Sequence, residues 1–270
     1  MGMEQVAVLR FAGELRDFLG KPQTDGVVRY PVTRRASLKD VIEALGPPHT
    51  EIHRLSVNGL ETDFRRLLEP GMDVDIKPAT FPIDVTRPTG LRPDPLPRLA
   101  FAADANVGKL ATLLRLLGFD TSYDPKRDDA SLADHAAESN RVVLSRDRTC
   151  LKRSRIVQGR WIRANEPRQQ LVEVMAAYGL AAIMNPFSRC LRCNQPLVAV
   201  EKKAILDQLQ PLTRRYYENF FQCETCGRIY WAGSHHEGME RLLRDLPIRP
   251  APVPDRGSDA SDRSAGPDHR

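Results

Sequence analysis

Cys190-Leu-Arg-Cys193 and Cys223-Glu-Thr-Cys226 place four thiols in two matched pairs. A tetrahedral Zn2+ takes four thiolates, and each Cys-x-x-Cys turn presents two of them to one ion. Gly227, directly after the second pair, permits the tight turn that folds such a knuckle back. Four thiolates leave no coordination position open to water, so this ion is expected to be structural. A redox pair of the thioredoxin kind needs only one Cys-x-x-Cys in a different neighbourhood. The gap between the pairs is longer than in a short ribbon and calls for a helical insert near residues 203–207. Cys150 stands alone and reads as a buried core residue.

The second set is acidic. Asp104 follows an apolar run at residues 99–103, Asp128 and Asp129 open a short helical stretch, and Asp147 follows Val142-Val-Leu144 by way of Ser145-Arg146. Open α/β sheets bind ligands beyond the C-terminal ends of their strands. Carboxylates gathered there can hold Mg2+ or Mn2+, hard ions that take oxygen ligands. Such ions activate water and stabilise the leaving oxygen of a phosphodiester. Asn106 could add a carbonyl ligand or orient the water. Each aspartate alone has a commoner use as a cap or turn residue; three at corresponding points of one sheet weaken that reading and put the metal site level with it. Lys109, Arg146 and Arg148 lie beside these acids and would hold RNA phosphates, or else solvate the rim.

Other patterns fail on inspection. Asn106-Val-Gly-Lys109 imitates a phosphate loop, but Ala103 replaces its first glycine and Leu110 its Ser/Thr. His236-Glu237 begins a zincin pattern that Glu240 breaks. His235 and His236 could touch RNA or metal, or simply be exposed. Trp161, Tyr216, Tyr217, Phe220, Phe221, Tyr230 and Trp231 could stack on bases, or form the core of sheet and ribbon.

The elements that must position these residues fall into blocks. Val6-Ala-Val-Leu-Arg-Phe11 alternates as a strand, with residues 27–32 as its hairpin partner. Ser37 caps a helix whose Leu38, Val41, Ile42 and Leu45 share one face, and Gly46-Pro47 stops it. Two further strands, at residues 55–60 and 74–76, complete a β-β-α-β-β order suited to a small α+β domain over residues 1–80. Pro82, Pro88, Pro93, Pro95 and Pro97, with Pro78 just upstream, mark residues 81–98 as a stiff, extended linker. Residues 99–183 alternate strand and helix, which argues for a parallel sheet with helices on its faces. In that block Leu110, Leu113, Leu114 and Leu117 form a stripe ended by Gly118, Asp129 caps the next helix, and Asn165 caps the last, which Gly179 ends. Residues 184–246 hold the cysteine pairs. Residues 247–270, rich in Pro, Ser, Asp and Arg, read as a disordered tail.

The 270 residues carry 40 Lys and Arg against 35 Asp and Glu, a net charge of +5. The excess is local: from Arg141 to Arg163 the basic residues are Arg141, Arg146, Arg148, Lys152, Arg153, Arg155, Arg160 and Arg163, and the only acid is Asp147. That stretch would attract a polyanion such as RNA, or be a solvated basic face. No secretory pattern opens the chain and no apolar run suggests a membrane span, so a cytoplasmic protein with no membrane partner is expected, and metal-bound cysteines rather than disulfides.

Two resemblances follow from these residues. Val57-Asn58-Gly59 and Glu69-Pro-Gly-Met-Asp-Val-Asp-Ile76 are similar to the β-grasp, ubiquitin-like family, in particular its sulfur-carrier branch. That branch works through a free C-terminal Gly-Gly, whereas here Pro78-Ala79-Thr80 runs on, so a binding or scaffolding role with a protein partner is implied instead. Phe101-Ala-Ala-Asp-Ala-Asn-Val-Gly-Lys-Leu-Ala111, Leu114-Arg-Leu-Leu-Gly-Phe-Asp120, Leu144-Ser-Arg-Asp147, and the segments around both cysteine pairs closely resemble the Mut-seven C-terminal RNase domain family. The resemblance implies a PIN-like α/β nuclease domain with a C-terminal zinc ribbon, here preceded by the ubiquitin-like β-grasp domain. It makes Asp104, Asp129 or Asp128, and Asp147 the acidic metal-binding set, with Glu138 a candidate fourth acid. The implied function is a metal-dependent ribonuclease using Mg2+ or Mn2+, with structural Zn2+ in a ribbon that aids RNA binding. The alternative is a non-catalytic RNA- or ribosome-binding adaptor that keeps the same fold.

Overall fold

The computed structural model describes residues 5–20 and 25–231. The N-terminal block is a five-stranded sheet crossed by one helix: β1 (Val6–Phe11), β2 (Val27–Pro31), α1 (Leu38–Leu45), β3 (Ile52–Val57), β4 (Leu60–Glu61) and β5 (Asp73–Pro78), in the spatial order β2-β1-β5-β3-β4. Strands β1 and β5 pair in parallel at its centre. The alternation of β1 sends Ala7, Leu9 and Phe11 inward, where Leu38, Val41 and Ile42 of α1 meet them. Ser37 starts that helix with a reciprocal capping box: its Oγ accepts from the Asp40 amide, and Asp40 accepts from the Ser37 amide.

The second block is a parallel sheet buried on both faces. Its strands are β6 (Phe101–Ala103), β7 (Thr121–Tyr123), β8 (Val142–Ser145) and β9 (Gly159–Trp161), in the order β7-β6-β8-β9. The helices are α2 (Gly108–Leu116), α3 (Asp129–Glu138), α4 (Arg148–Leu151) and α5 (Pro167–Tyr178). Strand periodicity divides the core. Phe101, Ala103, Val142 and Leu144 face Leu110, Leu114, Leu171 and Val174 of α2 and α5. Ala102 and Val143 face Leu132, Ala136, Cys150 and Leu151 of α3 and α4. Right after α2, Gly118 holds φ +92°, and a Cβ there would lie 2.3 Å from the Asn185 carbonyl oxygen. Only glycine lets the chain pass at that point.

Two expected caps are displaced by one residue. Asp128, not Asp129, is the N-cap of α3 and accepts from the Ser131 amide at 2.8 Å. Glu166 occupies the N-cap position of α5 without a side-chain cap bond, and Asn165 instead accepts from Arg146. In each case the freed side chain turns towards the end of the sheet that carries Asp104 and Arg146.

The proline-rich segment 81–98 is not an extended spacer. Val85 and Leu96 are buried in the α2/α5 core, and the Ile83 amide donates to the Ala177 carbonyl at 2.7 Å. Arg92 is 3% exposed, and its guanidinium donates to the carbonyls of His49, Thr50, Ile52 and Val157. Burial pulls its pKa down to about 10. Proline restricts the backbone, but single apolar side chains between the prolines decide where the strap lies.

The two blocks are joined by buried polar contacts as well. Arg160 pairs with Glu14 and Glu51, both at 2.7 Å. The Trp161 amide donates to Glu51 at 2.6 Å, the Lys152 ammonium to the Glu43 carbonyl at 2.6 Å, and His49 Nε2 lies 2.8 Å from the Ile156 carbonyl. Most of the basic stretch is therefore spent on structure, since Arg141 pairs with Asp120, Arg155 with Asp134, and Arg163 lies beside Glu14 and Glu173. A charge run with a single acid inside its own stretch is compensated in space by acids outside it, some nearby, as Asp120, Asp134 and Glu173, and some far back, as Glu14 and Glu51.

The third block is a small antiparallel sheet, β10 (Val198–Val200), β11 (Phe220–Gln222) and β12 (Ile229–Trp231), with α6 (Pro211–Tyr216) and a 3-10 turn at Lys202–Gln208 filling the gap between the cysteine pairs. Ile205, Leu209 and Phe220 form its core. Residues 247–270, His235 and His236 lie outside the described residues. Among the described residues no helix is long and apolar enough to cross a membrane.

Candidate metal centres

The two knuckles of the third block have the same build. Asn194 follows the first Cys-x-x-Cys with φ +65°, and Gly227 follows the second with φ +69°. Their amides donate to the carbonyls of Cys190 and Cys223 at 2.9 and 2.8 Å, closing each turn. This brings Cys190, Cys193, Cys223 and Cys226 together, with all four sulfurs within 4.8 Å of one another. Sulfurs about 2.3 Å from a tetrahedral Zn2+ stand about 3.8 Å apart, and Cys190 and Cys226 are 3.7 Å apart. Burial opposes ionisation of Cys190, but the Tyr230 hydroxyl and the amides of Cys193 and Arg192 bring its thiol down to about 7. Cys226 beside it, followed by burial, pushes the Cys193 thiol up to about 12. Four thiolates this close repel one another, so the donor set fits a cation such as zinc.

The block is fastened to the parallel sheet. Arg115, buried on α2, donates to the Thr121 carbonyl at 2.8 Å and to the carbonyls of Leu191 and Arg192 at 2.9 and 3.0 Å. Asn194 donates to Asp120 at 2.7 Å, and Arg141 does so from the other side at 2.6 Å.

The acidic centre lies where β6 and β8 end. Asp104 follows β6 directly and is buried; its Oδ1 accepts from the Ala105 amide at 2.5 Å. Its Oδ2 accepts from Ser145 Oγ at 2.5 Å and from Asn106 Nδ2 at 2.6 Å. Ser145 Oγ in turn accepts from the Asp147 amide at 2.8 Å, and Asn106 Oδ1 from the Arg146 amide at 3.1 Å. Two strand ends are thereby knitted into one unit. Asp129, from the first turn of α3, brings a carboxylate oxygen to within 4.8 Å of one on Asp104 and of Cys150 Sγ. Burial and the charges of Asp104 and Asp147 hold Asp129 above the ordinary carboxylate range, with Arg153 pulling the other way. The carboxylate oxygens of Asp104 and Asp129 are hard donors that suit a cation such as Mg2+ or Mn2+, whereas the Asn106 carbonyl, expected as a ligand, accepts from the Arg146 amide instead.

The remaining candidates are placed as follows. Asp128 is used as the cap of α3, and Glu138 pairs with Arg155 on the surface. Asp147 caps α4 through the Thr149 amide at 2.7 Å. Lys109 faces a shallow groove with Thr112, Leu113 and the start of α5. Arg148 stacks on Trp161 at 4.1 Å and on Phe18 at 4.8 Å. Cys150 is fully buried, and burial together with the nearby carboxylates pushes its thiol up to about 12, which keeps it protonated. A Cβ on Gly108 would lie 2.3 Å from the Tyr123 hydroxyl, so a side chain there would have to push the tip of that tyrosine aside. Of the aromatics, Phe220 is core, whereas Tyr216, Phe221 and Trp231 are exposed. Ser145 was missed in the sequence, although it stands in the Leu144-Ser-Arg-Asp147 motif; a small hydroxyl directly after a buried strand was the available signal.

Fold and centres together define a mixed α/β protein with an acidic cluster at a sheet end and a thiolate cluster beyond it. The family model described as Mut7-C RNAse domain matches residues 99–243, and the one described as Mut7-C ubiquitin matches residues 4–84. The chain belongs to the Mut7-C RNAse domain family, with a Mut7-C ubiquitin-like domain before it. No curated protein and no solved structure gives a match to it.

Proposed function

We propose that this protein is a metal-dependent ribonuclease with a PIN-like catalytic domain, hydrolysing RNA phosphodiester bonds at Asp104, Asp129 and Asp147. The observation that carries this reading is the approach of Asp104 and Asp129 within 4.8 Å at the C-terminal end of a parallel sheet, in a chain of nuclease-like family. Asp104, Asp129 and Asp147 would hold Mg2+ or Mn2+, which when bound supplies activation of water and neutralisation of charge on the phosphodiester. Ser145 and Asn106 fix the rotamer of Asp104, so the carboxylate does not reorganise when substrate arrives. Arg146 and Arg153 stand at the rim and attract the RNA backbone. Zn2+ in the four-cysteine centre is structural and holds the ribbon as a surface for RNA, on which Tyr216, Phe221 and Trp231 are exposed and could stack on bases. The ubiquitin-like domain offers a surface for a protein partner, and the cytoplasm is the compartment that suits reduced thiolates.

One observation favours the adaptor reading: Arg153 Nε stands 4.0 Å from an Asp129 oxygen and partly takes a cation's place. A single assay separates the two. Structured and single-stranded RNA are incubated with the protein in Mn2+ or chelator, beside Asp104→Asn and Asp147→Asn. Cleavage abolished by chelator and by both substitutions supports the nuclease. RNA binding without cleavage in any metal supports the adaptor, and cleavage indifferent to both substitutions overturns the assignment of the site.

A further inference from the structure

The ubiquitin-like domain touches the segment that presents Asp147. Phe18 of that domain packs its ring 4.8 Å from Trp161, and Arg148 lies over both rings. Trp161 donates its indole Nε1–H to the Arg146 carbonyl at 3.1 Å, and its amide to Glu51 at 2.6 Å. Arg146 and Arg148 are the two neighbours of Asp147 in sequence. The carbonyl before Asp147 and the side chain after it are therefore both held by a group that the N-terminal domain supports. The contact is built to be permanent: Arg160 and Glu51 are fully buried beside it, and the Arg92 strap closes over its edge.

We propose that the ubiquitin-like domain is a positioning element for the acidic centre, acting through Phe18 and Glu51 on Trp161 and through Trp161 on the Arg146–Arg148 turn that carries Asp147. The proposal rests on the nuclease reading for its catalytic consequence, but not for the coupling itself. Phe18, Trp161 and Glu51 touch no ligand. They fix the backbone from which Asp147, a ligand on the nuclease reading, projects, and a ligand's support is commonly worth tenfold or more in metal affinity.

The test uses the full chain with Trp161→Phe, which removes the indole donor and part of the ring but keeps an aromatic face for Phe18 and Arg148, and with Phe18→Ala and the conservative Phe18→Leu. Amide hydrogen exchange across residues 145–149 reads the coupling without any metal. Mn2+ affinity by titration, and the split between KM and kcat on RNA, read its consequence. Faster exchange at 145–149 is expected in Trp161→Phe and Phe18→Ala, with Mn2+ affinity lowered about tenfold, kcat reduced more than KM is raised, and Phe18→Leu largely restored. Zinc content and far-ultraviolet dichroism should not change. Folded variants with wild-type exchange at 145–149 overturn the proposal. Altered exchange in a protein that neither binds Mn2+ nor cleaves RNA keeps the coupling and overturns the nuclease reading instead. If Phe18→Ala does not fold, Trp161→Phe decides alone.

Discussion

Arg160 Nη1 lies 2.7 Å from Glu51 Oε2 across the junction of the two larger blocks, with the arginine side chain 4% exposed and the glutamate 0%. Burial works against both charges, and Glu51 with Glu14 keeps Arg160 above its ordinary pKa. Removing one partner of a buried pair leaves an uncompensated charge, which costs about 3–5 kcal/mol. Arg160→Met should approach the lower end, about 3 kcal/mol, because Arg163 at 3.8 Å still faces Glu51. The double replacement Arg160→Met with Glu51→Met should be less destabilising than Arg160→Met alone. Urea unfolding of the two variants checks this; a double mutant weaker than the single would contradict it.

The same junction sets a pH dependence. Burial opposes the charge of Glu14, but Arg160 and Arg163 hold its carboxyl below the ordinary value of 4.5. Asp120 behaves alike: burial opposes its charge, while Arg141 and Asn194 hold it below 3.8. In both, the unfolded chain binds protons at higher pH than the folded one. Their contribution is thus complete above the unfolded values and is lost as pH falls through the folded ones. Burial also pulls His53 from 6.5 down to about 3, so below about pH 6.5 the unfolded chain takes up a proton that the folded one refuses; melting temperature should begin to fall there and fall further as these carboxylates protonate. Glu14→Gln should start lower at neutral pH and fall less steeply in acid. A Glu14→Gln profile parallel to the wild type throughout would show that this carboxylate does not carry the effect.

How far these features could be read beforehand depends on whether their causes are local. Most of the expected β-β-α-β-β order was legible because the alternation of β1 and the Ser37 cap are local signals; the two-residue β4 (Leu60–Glu61), which adds a fifth strand, is too short to show a period and was not. The strand-end positions of Asp104 and Asp147 were legible for the same reason. The choice between Asp128 and Asp129 was not, since one residue of helix phase decides which carboxylate caps and which faces Asp104. The fate of the Arg141–Arg163 stretch was not legible either. Its acidic partners Glu14 and Glu51 lie about a hundred residues or more upstream, where a local charge sum cannot see them, and Lys152 is held by the Glu43 backbone carbonyl, which carries no charge to sum. Proline density in residues 81–98 reported backbone stiffness correctly but said nothing of Arg92, whose burial depends on carbonyls exposed by a turn at His49–Glu51. The four cysteines were the easiest to read, because two identical turns encode their own geometry.

That four-cysteine centre leans on a residue outside the third block. Arg115 reaches from α2 to the carbonyls of Leu191 and Arg192, inside the first knuckle, and its charge faces Cys190 and Cys193. Arg115→Met would strand both carbonyls and withdraw a positive charge from the thiolates. Wild-type protein purified under reducing conditions should contain one zinc per chain by elemental analysis, and Cys223→Ala none. Arg115→Met should retain zinc at purification but surrender it to a competing chelator at about tenfold lower chelator concentration, the scale on which supporting partners act. Arg115→Lys, which keeps charge but loses the two-carbonyl fork, should fall between. Equal chelator resistance in Arg115→Met and the wild type would reduce Arg115 to a packing residue. Wild-type protein without zinc would remove the structural ion from the centre altogether.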